Sequence, residues 1–99
     1  MLGLTSVCIA GPSMEPTLRS GDWWLVRTFG RLRPGDVALL HHPMRPDLLI
    51  VKRIMRREPG GFWVEGDNPA SSDDSRRFGL VDPGLAIGAL LLRYRRGST

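Results

Sequence analysis

Residues 48–66 read LLIVKRIMRREPGGFWVEG, and this stretch decides the fold. Apolar and basic side chains run from 48 to 57 without a glycine or proline, then stop at Glu58-Pro59-Gly60-Gly61. A β-prone run closed by a Pro-Gly-Gly turn and followed by a second such run, FWVEG (62–66), reads as an antiparallel hairpin. Side chains alternate across a strand, so Leu48, Ile50, Lys52 and Ile54 share one face. Leu49, Val51, Arg53 and Met55 share the other. Lys52 therefore falls among isoleucines, on the drier side, while Arg53 points away from it.

The same punctuation recurs along the chain. DWWLVR (22–27), DVALLHH (36–42), FGLV (78–81) and AIGALLLRYR (86–95) read as further strands, and the opening MLGLTSVCIAG (1–11) as the first. RPGD (33–36) is a turn, HPMRPD (42–47) a Pro-rich connection, and DNPASSDDSRR (67–77) a long polar loop. SMEPTL (13–18) is the one helical turn expected. The chain is thus predicted to be mainly β, a small coiled antiparallel β-sheet scaffold in a single domain, shaped as a sandwich or partly closed barrel. The domain is expected over 1–95, with a frayed tail at 96–99. Adjacent residues on a strand face opposite ways, so one of Trp23 and Trp24 belongs to the core. The other is free to meet substrate or a lipid surface.

At 99 residues there is room for one domain only. No apolar stretch approaches the roughly 18–20 residues that cross a bilayer. The opening segment lacks a basic flank, which predicts a strand and neither a signal peptide nor an anchor. The single cysteine, Cys8, excludes an internal disulfide and fits a reducing compartment, so a cytoplasmic address is expected. A lone cysteine is expected as a small buried hydrophobe, not as a nucleophile paired with His41 or His42. Those histidines are adjacent on a strand and cannot share a metal ion, so neither metal nor cofactor is expected. The net charge of +4 suits an acidic partner or a weak contact with an anionic membrane surface. No aromatic residues interleave with the basic ones, so nucleic acid is not expected as a partner.

Thirteen of the fourteen basic residues are arginine; Lys52 is the only lysine. Arginine fills every surface role for a cation but does not lose its proton inside a protein. A lone lysine on an apolar face is where a neutral amine is to be sought, because desolvation disfavours the ammonium. Such an amine serves as a general base for a hydroxyl attacking an amide carbonyl. GPSMEPTL (11–18) offers that hydroxyl in Ser13, whose own backbone N–H is the first donor for the resulting oxyanion. Taken singly, Ser13 is a turn residue and Lys52 a strand lysine reaching for water; it is their combination that points to chemistry.

Three segments carry a resemblance. GPSMEPTLRSGD (11–22), VKRI (51–54) and GDNPASSDDSRRFG (66–79) resemble, in order, the nucleophile, base and third boxes of the signal peptidase I (S26) serine protease family. The resemblance implies that Ser13 is the nucleophile and Lys52 the base. It implies that Ser72 hydrogen-bonds and orients the lysine amine, and that Asp74 and Arg76 form a supporting ion pair. It also implies a coiled antiparallel scaffold. Met14, Leu18 and Val51 flank the catalytic positions and are expected to line the pocket for the residue before the scissile bond. Some relatives carry a hydroxyl two residues before the nucleophile, where this chain has Gly11, and many have arginine where it has Pro69. The compact, arginine-rich pattern is most similar to the nickel-type superoxide dismutase maturation proteases. That implies removal of an N-terminal propeptide from a precursor bound as an extended segment, by an enzyme in the cytoplasm or peripheral at a membrane. The rival expectations are a general signal peptidase acting on exported preproteins, a non-catalytic peptide-binding β module and a self-cleaving repressor-type domain, the last disfavoured because the sequence offers no DNA-binding segment and no obvious internal cleavage linker.

Overall fold

The computed structural model describes residues 3–97. Six strands form one sheet: β1 (Leu4–Cys8), β2 (Trp23–Arg27), β3 (Val37–His42), β4 (Arg45–Glu58), β5 (Gly61–Glu65) and β6 (Ala86–Arg95). Their order is β1-β2-β6-β3-β4-β5, and every neighbouring pair is antiparallel. A four-residue helix, α1 (Ser75–Phe78), and two short 3-10 turns (Pro69–Ser71 and Pro83–Leu85) complete the described elements. The mainly β, antiparallel, single-domain expectation holds, with all six strands hydrogen-bonded into a single sheet.

β3 lies inside the sheet and is apolar on both faces, as its unbroken Val37–Leu40 run requires. Ala38 and Leu40 join Ile54, Phe62, Val64 and Val81 in one buried cluster. Val37 and Val51 pack instead against a second cluster, Ile9, Met14 and Leu18. A side chain as fully buried as Ile54 contributes about 1.5–3 kcal/mol. The second cluster ties the nucleophile segment to the sheet, because Met14 and Leu18 belong to that segment. Trp24 faces this cluster, whereas Trp23 stands beside Tyr94 with ring centroids 6.5 Å apart.

Four local expectations are corrected. Residues 45–47 are strand, not connection: β4 begins at Arg45, directly after a turn at Pro43 and Met44. Pro46 is tolerated there because pairing jumps from His41↔Leu49 to His42↔Arg45, which leaves residues 46–48 in a bulge where no ladder donor is needed. FGLV (78–81) is not a strand; Phe78 ends α1, and only Val81 makes a bridge, to Phe62. The segment 13–18 does turn, closed by Leu18 N–H donating to Met14 at 2.9 Å, but it is not the one such feature: helical segments also fall in 69–71, 75–78 and 83–85. Cys8 is exposed: β1 is an edge strand, so it has a neighbour on one side only. Of the expected frayed tail, residues 98 and 99 lie outside the described residues.

Candidate active site

Ser13 sits in a loop pinched at its base. Ile9 N–H donates to Asp22 and Gly21 N–H to Ile9, at 2.8 and 2.7 Å, so residues 10–20 project as a unit. Within the loop Glu15 N–H donates to Pro12 at 3.1 Å. Met14, 1% exposed, is drawn into the core and fixes the turn from below. The third segment fixes it from outside. Asn68 donates its backbone N–H to the Ser13 carbonyl at 2.8 Å and its side-chain amide to Pro12 at 3.0 Å. Gly66 is required by this clamp, since a Cβ there would collide with Ser72 Oγ and the Ser13 carbonyl.

Lys52 reaches the loop from β4. It pairs with Ala38, whose small side chain leaves room beside the lysine stem. The β4–β5 ladder starts at Arg53↔Glu65, so on that side residues 48–52 have no partner strand, and the serine loop occupies the end of this open edge. Lys52 Nζ donates to Ser13 Oγ at 2.9 Å, and the lysine is 4% exposed. Burial pushes the amine below the ordinary lysine range; the charges of Asp74 and Asp73 pull the other way without cancelling it. The Ser13 N–H has no acceptor among the described residues. Gly11, at φ +82°, offers no side-chain donor, and that backbone geometry disfavours the hydroxyl residue some relatives place there.

Among the described residues Ser72 makes no hydrogen bond to Lys52: its hydroxyl donates to Asp74 Oδ2 at 2.6 Å, so it orients the buried carboxylate of the third segment. Asp74 also accepts from Gly66 N–H at 2.9 Å and from Arg76 through Nε and Nη2, at 3.0 and 2.6 Å. The Asp74–Arg76 pair is thus bidentate. Burial raises the Asp74 carboxyl, but these donors outweigh it and hold the group well below the carboxylate range. Met14 and Val51 line a cavity of about 380 Å³ next to Ser13 and Lys52, together with Cys8, Ile9 and Leu39. Leu18 does not line it; it is buried in the second cluster with Ile9 and Met14.

Two features escaped the sequence analysis. Arg53 forms a bidentate pair with Asp67, at 2.9 and 2.8 Å, and Thr17 donates to the same carboxylate at 2.7 Å. This carboxylate joins the base strand, the third segment and the serine loop on the face opposite Lys52. The available signal was the alternation that turned Arg53 away from Lys52. The second feature is a contact of 3.0 Å between His42 Nε2 and Asp73 Oδ2, for which the sequence held no signal. Among the described residues no group of histidine, cysteine and carboxylate side chains could hold a metal ion. None of their helices is long and apolar enough to cross a membrane.

Residues 4–78 match the Peptidase S24-like family. Mitochondrial inner membrane protease subunit 1 of Xenopus tropicalis is 33% identical over 116 residues, covering 93% of this chain and 69% of the relative. Mitochondrial ATP-independent inner membrane protease subunit 1a of Arabidopsis thaliana is 33% identical over 117 residues, covering 91% and 70%. Mitochondrial inner membrane protease subunit 2 of Schizosaccharomyces pombe is 39% identical over 108 residues, covering 84% and 60%. These relatives are named as membrane proteases and not as superoxide dismutase maturation proteases.

Proposed function

The chain belongs to the Peptidase S24-like family, and on that premise we propose that it is a serine endopeptidase with Ser13 as nucleophile and Lys52 as general base. The observation that carries this reading is the 2.9 Å contact between Lys52 Nζ and Ser13 Oγ, made by a lysine that burial drives toward its neutral form. With the amine neutral, its lone pair takes the hydroxyl proton as Ser13 Oγ attacks the scissile carbonyl. The Ser13 N–H donates to the oxyanion. The lysine then passes the proton to the leaving amine, and water releases the acyl group by the reverse sequence. Asp74 and Arg76 support the site by holding the third segment against the serine loop.

The substrate we propose is a precursor protein whose N-terminal propeptide lies extended along the open edge of β4, adding a strand beside residues 48–52. The walls of the adjoining cavity are apolar apart from Ser13, Lys52 and Cys8, which suits an uncharged residue before the scissile bond. The sequence likeness of residues 11–22, 51–54 and 66–79 selects the nickel-type superoxide dismutase precursor as the first candidate. The names of the relatives favour a second candidate, preproteins processed at a membrane. We propose a cytoplasmic address with peripheral contact to a membrane. The one cysteine supports the compartment, and the relatives' names support the membrane contact.

The test mixes the purified protein with each precursor and reads intact masses, with Ser13→Ala as control. Loss of a defined N-terminal segment that Ser13→Ala cannot produce is expected. If the wild type leaves both precursors intact but binds them, the chain is a peptide-binding module. If Ser13→Ala cleaves as fast as the wild type, the nucleophile lies elsewhere.

A further inference from the structure

The serine loop has a cavity on each of its two limbs. The cavity of about 380 Å³ beside Lys52 is lined by the ascending limb, through Ile9, Ala10, Ser13 and Met14. A second, of about 730 Å³, is lined by the descending limb, through Glu15, Pro16, Arg19 and Ser20, together with Arg93 of β6 and Arg96 just after it. The buried Asp22 fastens this second wall. It accepts from Arg19 N–H at 3.3 Å and Gly97 N–H at 2.9 Å, and lies 3.7 Å from Arg93 Nη1. Its carboxylate is thereby committed. Arg19 and Arg96 are exposed and form no ion pair among the described residues. Three guanidinium charges thus face two carboxylates, Asp22 and Glu15, and the surplus is positive.

A substrate chain that crosses Ser13 has one way in and one way out. Its propeptide side takes the open edge of β4 beside residues 48–52. Past Lys52 that edge is closed, because β5 pairs from Arg53 onward and Asp67 ties Arg53 to Thr17. The segment that departs with the new amino terminus is therefore turned off the sheet and across the descending limb. We propose that the second cavity is a subsite for an acidic side chain of this departing segment, with Arg19 and Arg96 as the specificity-determining residues. A guanidinium offers paired, coplanar donors that match a carboxylate, and it keeps its charge at every working pH. The proposal rests on the protease reading and on the course given there to the propeptide. It narrows the substrate class: an uncharged residue stands before the scissile bond, and an aspartate or glutamate follows soon after it.

The test uses fluorescein-labelled peptides of serine and threonine. Their only apolar residue, an alanine before the intended scissile bond, sets the register in the apolar cavity. One glutamate is moved through the positions after the bond, with glutamine and lysine counterparts at each. Fluorescence anisotropy on the Ser13→Ala protein reads Kd, and mass spectrometry on the wild type reads kcat and KM. At the positions that reach the cavity, glutamate should bind tighter than glutamine by about threefold to tenfold, and lysine should bind more weakly than either. In the wild type the gain should fall on KM, with kcat little changed. Arg19→Gln and Arg96→Gln, added to Ser13→Ala, should each shrink the preference. Arg19→Glu/Arg96→Glu should reverse it toward lysine, which a merely structural role would not do. Equal Kd for glutamate and glutamine at every position after the bond overturns the proposal, and that comparison stands even if an arginine variant fails to fold. A preference just as large for glutamate placed before the bond also overturns it, since attraction to the net positive chain would then suffice. So does a preference that survives the double variant. Kd is read without cleavage. A wild type that cleaves none of the peptides while the preference holds would count against the protease reading and leave the subsite standing.

Discussion

The Lys52 amine meets the Ser13 hydroxyl where β5 has ended and the serine loop takes its place beside β4, at a separation of 2.9 Å. The edge position matters. A strand paired on both sides would leave no room for the loop, and a substrate strand would have nowhere to add. Lys52 is held on one face of β4 by this loop, and Arg53 on the other by Asp67, so the strand is gripped from both faces at adjacent residues.

Lys52→Arg tests the base. The guanidinium stays protonated at every pH the fold survives and cannot accept a proton from Ser13. Cleavage should fall by about 10³-fold or more, the scale seen when a dyad or triad member is lost. Precursor turnover read by mass spectrometry checks this, and substantial cleavage by the arginine variant would remove Lys52 from the mechanism.

The pH dependence follows from the lowered affinity of Lys52 for its proton. Activity should rise with pH through the folded-state midpoint, which lies below the ordinary lysine value of about 10.4. Stability should rise over the alkaline side of that midpoint as well. Between the folded and unfolded midpoints the unfolded chain binds the extra proton, so the cost of burying the cation is full below the folded midpoint and gone above the unfolded one. Lys52→Met removes the titrating group. Urea titrations across this range should show a stability slope in the wild type that is reduced in the variant.

Gly66→Ala tests the clamp. The added Cβ overlaps Ser72 Oγ and the Ser13 carbonyl, so the third segment or the serine loop must shift. A displacement of about 1 Å at the nucleophile costs on the order of 10²-fold in rate. kcat should fall by that order, and the Lys52–Ser13 contact should lengthen in a crystal structure of the variant. An unchanged kcat would show that the clamp does not position Ser13.

Asp74→Ala tests the support of the third segment. The carboxylate is 1% exposed and accepts from Ser72, Gly66 and Arg76, so its loss orphans several donors at once. A cost of about 3 kcal/mol is expected, which for a chain of this size lowers the Tm by roughly 12–24 °C. Calorimetry reads the shift. The wild-type carboxyl is held below its unfolded value of about 3.9. It therefore contributes stability that is present above that value and is lost as pH falls below it. Asp74→Asn should accordingly show a shallower loss of stability in acid.

Local information was enough for the β4–β5 hairpin, the side of the strand that Lys52 takes, and the turn that ends the run at Gly60 and Gly61. Alternation and turn chemistry act over a few residues, and so they can be read from a string. The bulge at 46–48 could not be read, because it exists only through the partner strand's register. The same holds for the exposure of Cys8: it follows from β1 having a neighbour on one side only, and strand order is not written in any one strand. Ser13 and Lys52 lie 39 residues apart in sequence. Their residue types and order marked them as partners, while their meeting depends on how long-range pairing folds the sheet. Ser72 shows the division most plainly. Its place beside the site was legible, but the partner of its hydroxyl was not: that partner is the Asp74 carboxylate, which the fold of the third segment sets beside it.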